Sequence, residues 1–158
     1  MKNTFKRSGA ALISLVLLLV LAVSAGAASS QNVGVKFWKE RSDKESMANS
    51  GIDPDRTATL TRQANGTYTL TLPVIQVSKL GVTGYLSGLT IGDVTYDGTL
   101  TGDFNKATAV LTIKNLPASV LTGSDVNKSV LVTCNIQMDL QVLGEINTSA
   151  RMCIWNQK

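Results

Sequence analysis

The sequence predicts an all-β fold, an antiparallel β-sandwich of about seven to eight short strands in a single domain. Three observations carry this. Past Pro54, apolar residues alternate with polar ones, as in Ala58, Leu60, Tyr68, Leu70 and Leu72, which is the period of a half-buried strand. Turn signals (Asn65-Gly66, Gly88, Gly92, Gly98) recur between these runs. The polar stretch Lys39 to Asp55, broken by Ser50-Gly51 and Asp53-Pro54, leaves room for a short helical turn around Asp43 to Asn49, with Ser42 or Asp43 as its N-cap.

The chain opens on an export signal. Lys2, Lys6 and Arg7 form a basic start, Ala10 to Val23 is an apolar run interrupted by Ser14, and Ala25-Gly26-Ala27 offers a small-residue cleavage site. Residues 1–27 are therefore expected to be a signal peptide and residues 28–158 one domain. The apolar run is shorter than the ~20 residues that span a bilayer. No cysteine for lipid attachment lies near the cut, and Leu116-Pro117-Ala118-Ser119-Val120 is not a wall-sorting motif. The expectation is a secreted protein with no membrane span in the mature chain and no evident anchor.

The first hairpin has a readable register. Its apolar residues Ala58, Leu60, Tyr68, Leu70 and Leu72 all fall on even positions. A two-residue Asn65-Gly66 turn would set apolar against polar on each face. A three-residue loop, Ala64-Asn65-Gly66, pairs Leu60 with Leu70 and Ala58 with Leu72, and Gly66 supplies the left-handed residue it needs. At Pro73 the apolar set moves to odd positions with Ile75 and Val77, so a bend or bulge is expected there. Short strands are expected over Tyr85 to Ile91, Asp93 to Leu100 and Ala107 to Ile113, the last ended by Leu116-Pro117.

The closing hairpin matters most. Val130, Val132, Cys134, Ile136, Met138 and Leu140 form an apolar face that alternates with a mainly polar one. On the returning strand Ala150, Met152 and Ile154 are the apolar set, while Cys153 and Trp155 have the opposite parity. Two registers stay open. If packing sets the register, Cys134 and Cys153 point to different faces. If the exporting compartment drives a Cys134–Cys153 disulfide, they face each other and Arg151 lies beside Ile136 on the apolar side.

Composition excludes several functions. The formal charge of +4 drops to near neutrality once the signal's three basic residues are cut away, so there is no electrostatic footprint for nucleic acid or an anionic membrane. Histidine is absent, which removes the commonest metal ligand and the commonest general base together. No Ser/Lys or Cys/His arrangement offers a nucleophile with its base, so the protein is not expected to be an enzyme. Asp53-Pro54-Asp55 and Asp97-Gly98-Thr99 with Asp103 lack the spacing of a calcium loop and read as turns.

Glu45-Ser46-Met47-Ala48 followed by the Asn65-Gly66 hairpin resembles the opening of near iron transporter (NEAT) domains. The segment Val130 to Trp155 resembles their closing hairpin. The resemblance covers most of the mature chain. It implies an Ig-like sandwich with a short helical lid near its N-terminus, of the kind Gram-positive bacteria use to bind and pass on haem in iron acquisition. In that family haem sits between the lid and the last hairpin, a lid serine binds a propionate and the next residue packs on the porphyrin. Ser46 and Met47 match those positions. The family's Tyr-x-x-x-Tyr is missing, since Ile146 to Ala150 contain no tyrosine, and the chain is in that respect a divergent member.

Some haem carriers of this fold use two methionine thioethers instead, and thioether sulfur is a soft ligand for haem iron. The resemblance then implies Met47 and Met138 as the iron ligands, Met152 as a reserve, and Arg151 as a propionate partner. The partners it implies are haem, haemoproteins and other cell-surface haem carriers. Plainer readings stand beside these: Met138 as core filler, Arg151 as a solvated side chain, Trp38 and Trp155 as packing residues. A second function from another class is a cofactor-free extracellular β-sandwich module that docks a protein partner.

Overall fold

Among the described residues the alternating runs form nine strands, all in one hydrogen-bonded sheet. A computed structural model describes residues 28–79, 81–139 and 144–158; the signal expected in residues 1–27 falls outside them, as does Leu140. The strands are β1 (Ser29–Lys39), β2 (Ala58–Arg62), β3 (Tyr68–Pro73), β4 (Val77–Lys79), β5 (Val82–Ile91), β6 (Val94–Thr101), β7 (Val110–Leu116), β8 (Val130–Met138) and β9 (Glu145–Asn156). Their spatial order is β4-β5-β6-β7-β3-β2-β1-β9-β8, and β8 pairs again with β5. The sheet thus closes into a barrel-like ring of eight strands, with β4 outside it.

The fold is all-β and antiparallel between its strands, but it does not divide into the two sheets of an Ig-like sandwich. The reason is partner switching by its long strands. β1 pairs with β2 through Ser29 to Val33 and with β9 through Val33 to Lys39. β5 meets β4 near its start, β6 near its end and β8 along most of its length. Strands that bend and change neighbours join two layers at corners.

The first hairpin takes the three-residue loop. Leu60 pairs with Leu70, Gln63 N–H donates to Thr67 O at 2.8 Å, and Gly66 has φ +82°. β3 runs on through Pro73, paired with Val110, and the chain then bends so that Val74 is buried and bridges Ile52. A second irregularity lies in β5. Leu86 pairs with Ile136 and Gly88 with Asn135, leaving Ser87 as the extra residue, its Oγ donating to Asn135 O at 3.0 Å. That bulge shifts parity, so Leu86 before it and Leu89 after it both point into the core.

β7 begins later than its apolar pattern suggests. Ala107 adopts a left-handed φ of 52° at the end of a short 3-10 turn, which delays the strand to Val110. The core runs through the ring from Val33, Phe37, Leu60, Leu70 and Leu72 to Leu111, Ile113, Met152 and Ile154, all essentially inaccessible to solvent.

The final hairpin takes the packing register. Val130 pairs with Met152 and Cys134 with Thr148, so even residues of both strands face inward. Cys134 and Cys153 are free, buried thiols on opposite faces, and the Cys134–Cys153 crosslink is not formed. Cys153 packs outward, its Sγ 3.6 Å from the Asp125 carbonyl. Burial raises the Cys134 thiol from 9.0 to about 12, because a thiolate there would lack solvent. The unfolded chain ionises at the lower value, so stability should fall as pH rises from 9.0 towards 12. Denaturant melts across that window should show the slope, and Cys134→Ala should flatten it.

Candidate functional site

The inward faces of β8 and β9 outrun the core. On β8, Val132 and Cys134 are buried, but Ile136 and Met138 are half-exposed; on β9, Ala150, Met152 and Ile154 are buried, but Thr148 and Ile146 are exposed. The hairpin therefore carries an apolar strip past the end of the barrel. Facing it across a gap lies a 3-10 helix, Met47–Gly51, which forms a lid. Gly84 and Leu86 of β5, with Val77 and Val82 at the β4–β5 turn, complete an open groove of about 270 Å³. Its lining is almost wholly apolar, and two of its lips, Met47 and Ile146, are 61% and 41% exposed. An exposed apolar concavity of this kind signals binding.

The lid starts later than its local sequence suggests. Trp38 and Glu45 form a strand bridge, and Ser46 N–H donates to Phe37 O at 2.9 Å, so the chain stays extended through Ser46. The N-cap is Ser46, not Ser42 or Asp43; its Oγ accepts from Ala48 N–H at 3.3 Å. The lid's exit is tied as well. Ile75 N–H donates to Gly51 O, and Asp53 N–H to Pro73 O, both at 3.0 Å.

Met47 and Met138 come together as lining residues of this one groove. Ser46 sits buried at the foot of the lid. Met152 is in the core, fully buried, and does not line the groove. Arg151 points outward and ties β9 to the start of the lid loop, with Nε donating to Lys39 O at 3.1 Å and Nη2 to Asp43 Oδ1 at 2.7 Å. Its packing face is the outer one because Met152, its neighbour, takes the inner one.

Several residues of the site escape a reading of the sequence. Tyr85 lies in the groove's lining and its ring tilts against Phe104 at 5.2 Å; it sits on β5, far in sequence from the closing hairpin. Gly84 pairs with Met138, and a β-carbon at Gly84 would lie 2.7 Å from Met138 Sδ and 3.0 Å from Gln137 O. The missing side chain is the space into which the thioether fits. Gly84→Ala should therefore displace the Met138 sulfur while leaving the barrel folded. Thermal melts within about 1 kcal/mol of the parent, together with a shifted Met138 methyl resonance, would confirm this.

A second, more polar cleft lies where β1 passes from β2 to β9, beside Asp53, Arg56 and Trp155. Asp53 and Arg56 are already engaged. Asp53 Oδ1 accepts from Asp55 N–H at 3.0 Å, and Arg56 donates to the carbonyls of Ala107 and Ala109 at 2.9 and 3.0 Å. Asp103 caps its own turn through Asn105 N–H. Among the described residues no group of three or more His, Cys, Asp or Glu is placed to hold a metal ion, and no helix is long and apolar enough to cross a membrane.

The closed all-β fold is similar to that of NEAT domains. Two solved structures share that fold over 83% of this chain and 98% of their own: the fifth NEAT domain of IsdX2, a B. anthracis hemophore, in complex with haem (TM-score 0.50, 9% identity), and a point mutant of that same domain, also in complex with haem (TM-score 0.53, 10% identity). No family model and no curated protein matches the sequence. The likeness is one of fold.

Proposed function

We propose that the protein is a secreted, NEAT-like haem-binding and haem-transfer protein of iron acquisition. The observation that carries this reading is the groove itself: an apolar slot, open at one side, that brings Met47 of the lid and Met138 of the hairpin to one lining. An apolar porphyrin suits such walls. The space left by Gly84 seats the Met138 thioether in the groove wall, so the residues present fit the group. Met138 and Met47 would hold the iron, and two neutral thioethers favour ferrous over ferric haem. Ser46 caps the lid through its Oγ; buried at the lid's foot and outside the groove's lining, it would serve a propionate by holding the lid rather than by lining the slot. Met152 and Arg151 drop out of the ligand set on their placement. Bound haem supplies the iron that is carried, and the chain's part is to desolvate and seat it.

The experiment is an absorbance titration of residues 28–158 with haemin, oxidised and after dithionite. A saturable one-to-one Soret band with sharp bands on reduction supports haem carriage. A featureless additive spectrum overturns it and leaves a cofactor-free module whose apolar lips dock a protein partner.

A further inference from the structure

β1 has an edge problem at the lid. Its partner β2 leaves at Val33, yet β1 continues to Lys39, paired on its other side with β9. Beyond Val33 no further strand lies on that side among the described residues. Only the segment 44–46 runs beside it, through the Trp38–Glu45 bridge and the Ser46 N–H to Phe37 O bond, which leaves the Phe37 N–H unmet by backbone. Phe37 is the critical residue, because it is fully buried and an unpaired amide there has no water to turn to. The Phe37 carbonyl accepts from Ser46 N–H at 2.9 Å, and the Phe37 amide is met by one side chain of the lid. Asn49 Oδ1 accepts from Phe37 N–H at 2.8 Å, and Asn49 Nδ2 donates to Phe37 O at 2.7 Å and to Ser46 O at 3.0 Å. The carboxamide thus reproduces the two-way exchange that a neighbouring strand residue makes.

We propose that Asn49 is the positioning residue of the groove, standing in for the missing strand beside Phe37 and so fixing the lid before any ligand arrives. The inference rests on the groove being the ligand site only in its last consequence, that ligand is retained by a lid already in place. A carboxamide is needed because donor and acceptor must lie side by side in one plane. Aspartate has the shape but sets a carboxylate oxygen against the Phe37 and Ser46 carbonyls. Met47, two residues before the pin, is thereby held at the groove's lip without needing contacts to a ligand.

The test uses Asn49→Ala and Asn49→Asp in the mature chain, with amide hydrogen exchange of Phe37 and Ser46 read without haem, and haem release read by transfer to an excess of apomyoglobin. Exchange of the Phe37 amide about tenfold or more faster in both variants, with the amides of β3 and β7 unchanged, is expected. Haem release should quicken by a similar factor. Unchanged exchange in either folded variant overturns the pin. Faster exchange with unchanged haem release overturns the claim that the lid retains the ligand. Should Asn49→Ala fail to fold, Asn49→Asp alone carries the exchange measurement. A parent chain that takes up no haem defeats the haem reading, while the exchange result still decides the role of Asn49.

Discussion

Met138→Ala is expected to weaken haem binding by about tenfold or more, equivalent to ~1.4 kcal/mol, and to remove the sharp bands of the reduced spectrum. The effect is large because the substitution removes a sulfur facing the groove and puts nothing in its place. Met138 is only half-buried at the groove's wall, so the chain should stay folded, and a melt distinguishes lost ligation from lost structure. Met47→Ala should act in the same direction but less strongly, since Met47 is 61% exposed on the lid and a water can approach the vacated side. Spectra unchanged by both substitutions would sink the thioether assignment. Loss of the Soret band in Tyr85→Phe instead would transfer the iron to the phenol that the groove brings in from β5.

Phe37→Ala should destabilise the domain by about 3–5 kcal/mol, the usual cost of emptying a fully buried aromatic site. Against a total stability on the order of 5–15 kcal/mol, that leaves a marginal fold, with a melting temperature lowered by roughly 10–20 °C. Phe37 fills the core beside Met152, its partner across the β1–β9 pair, and its backbone receives the lid through Asn49 and Ser46. The ring's loss should therefore loosen core and lid together. Thermal melts of the haem-free variant measure this directly; a fall below about 1 kcal/mol would mean that the barrel closes over the cavity.

Both predictions depend on which contacts were legible in the chain. The sequence alone determined the all-β class, because threonine-apolar alternation with glycine turns has no helical solution. It determined the first hairpin's register, because the parity of Leu60 and Leu70 admits a three-residue loop ending in Gly66 and not a two-residue one. Through the resemblance of its lid and closing hairpin it also offered Met47 and Met138 as candidate ligands, with core packing as the plainer reading of Met138. It left the closing hairpin undecided between two registers, since a disulfide and a packed face make opposite demands on Cys153.

Tertiary structure decided that register, burying Met152 and sending Arg151 outward. It also decided the closure of the sheet, which depends on β1 and β5 changing partners along their length, a choice no local pattern records. The groove has the same origin. Gly84 and Tyr85 belong to it, and Asn49 ties the lid beside it, because segments distant in sequence meet at one rim of the barrel, and a residue's role there is set by what stands opposite it. Local periodicity fixes which face of a strand is apolar; only the pairing of strands fixes where that face runs out of core and opens as a groove.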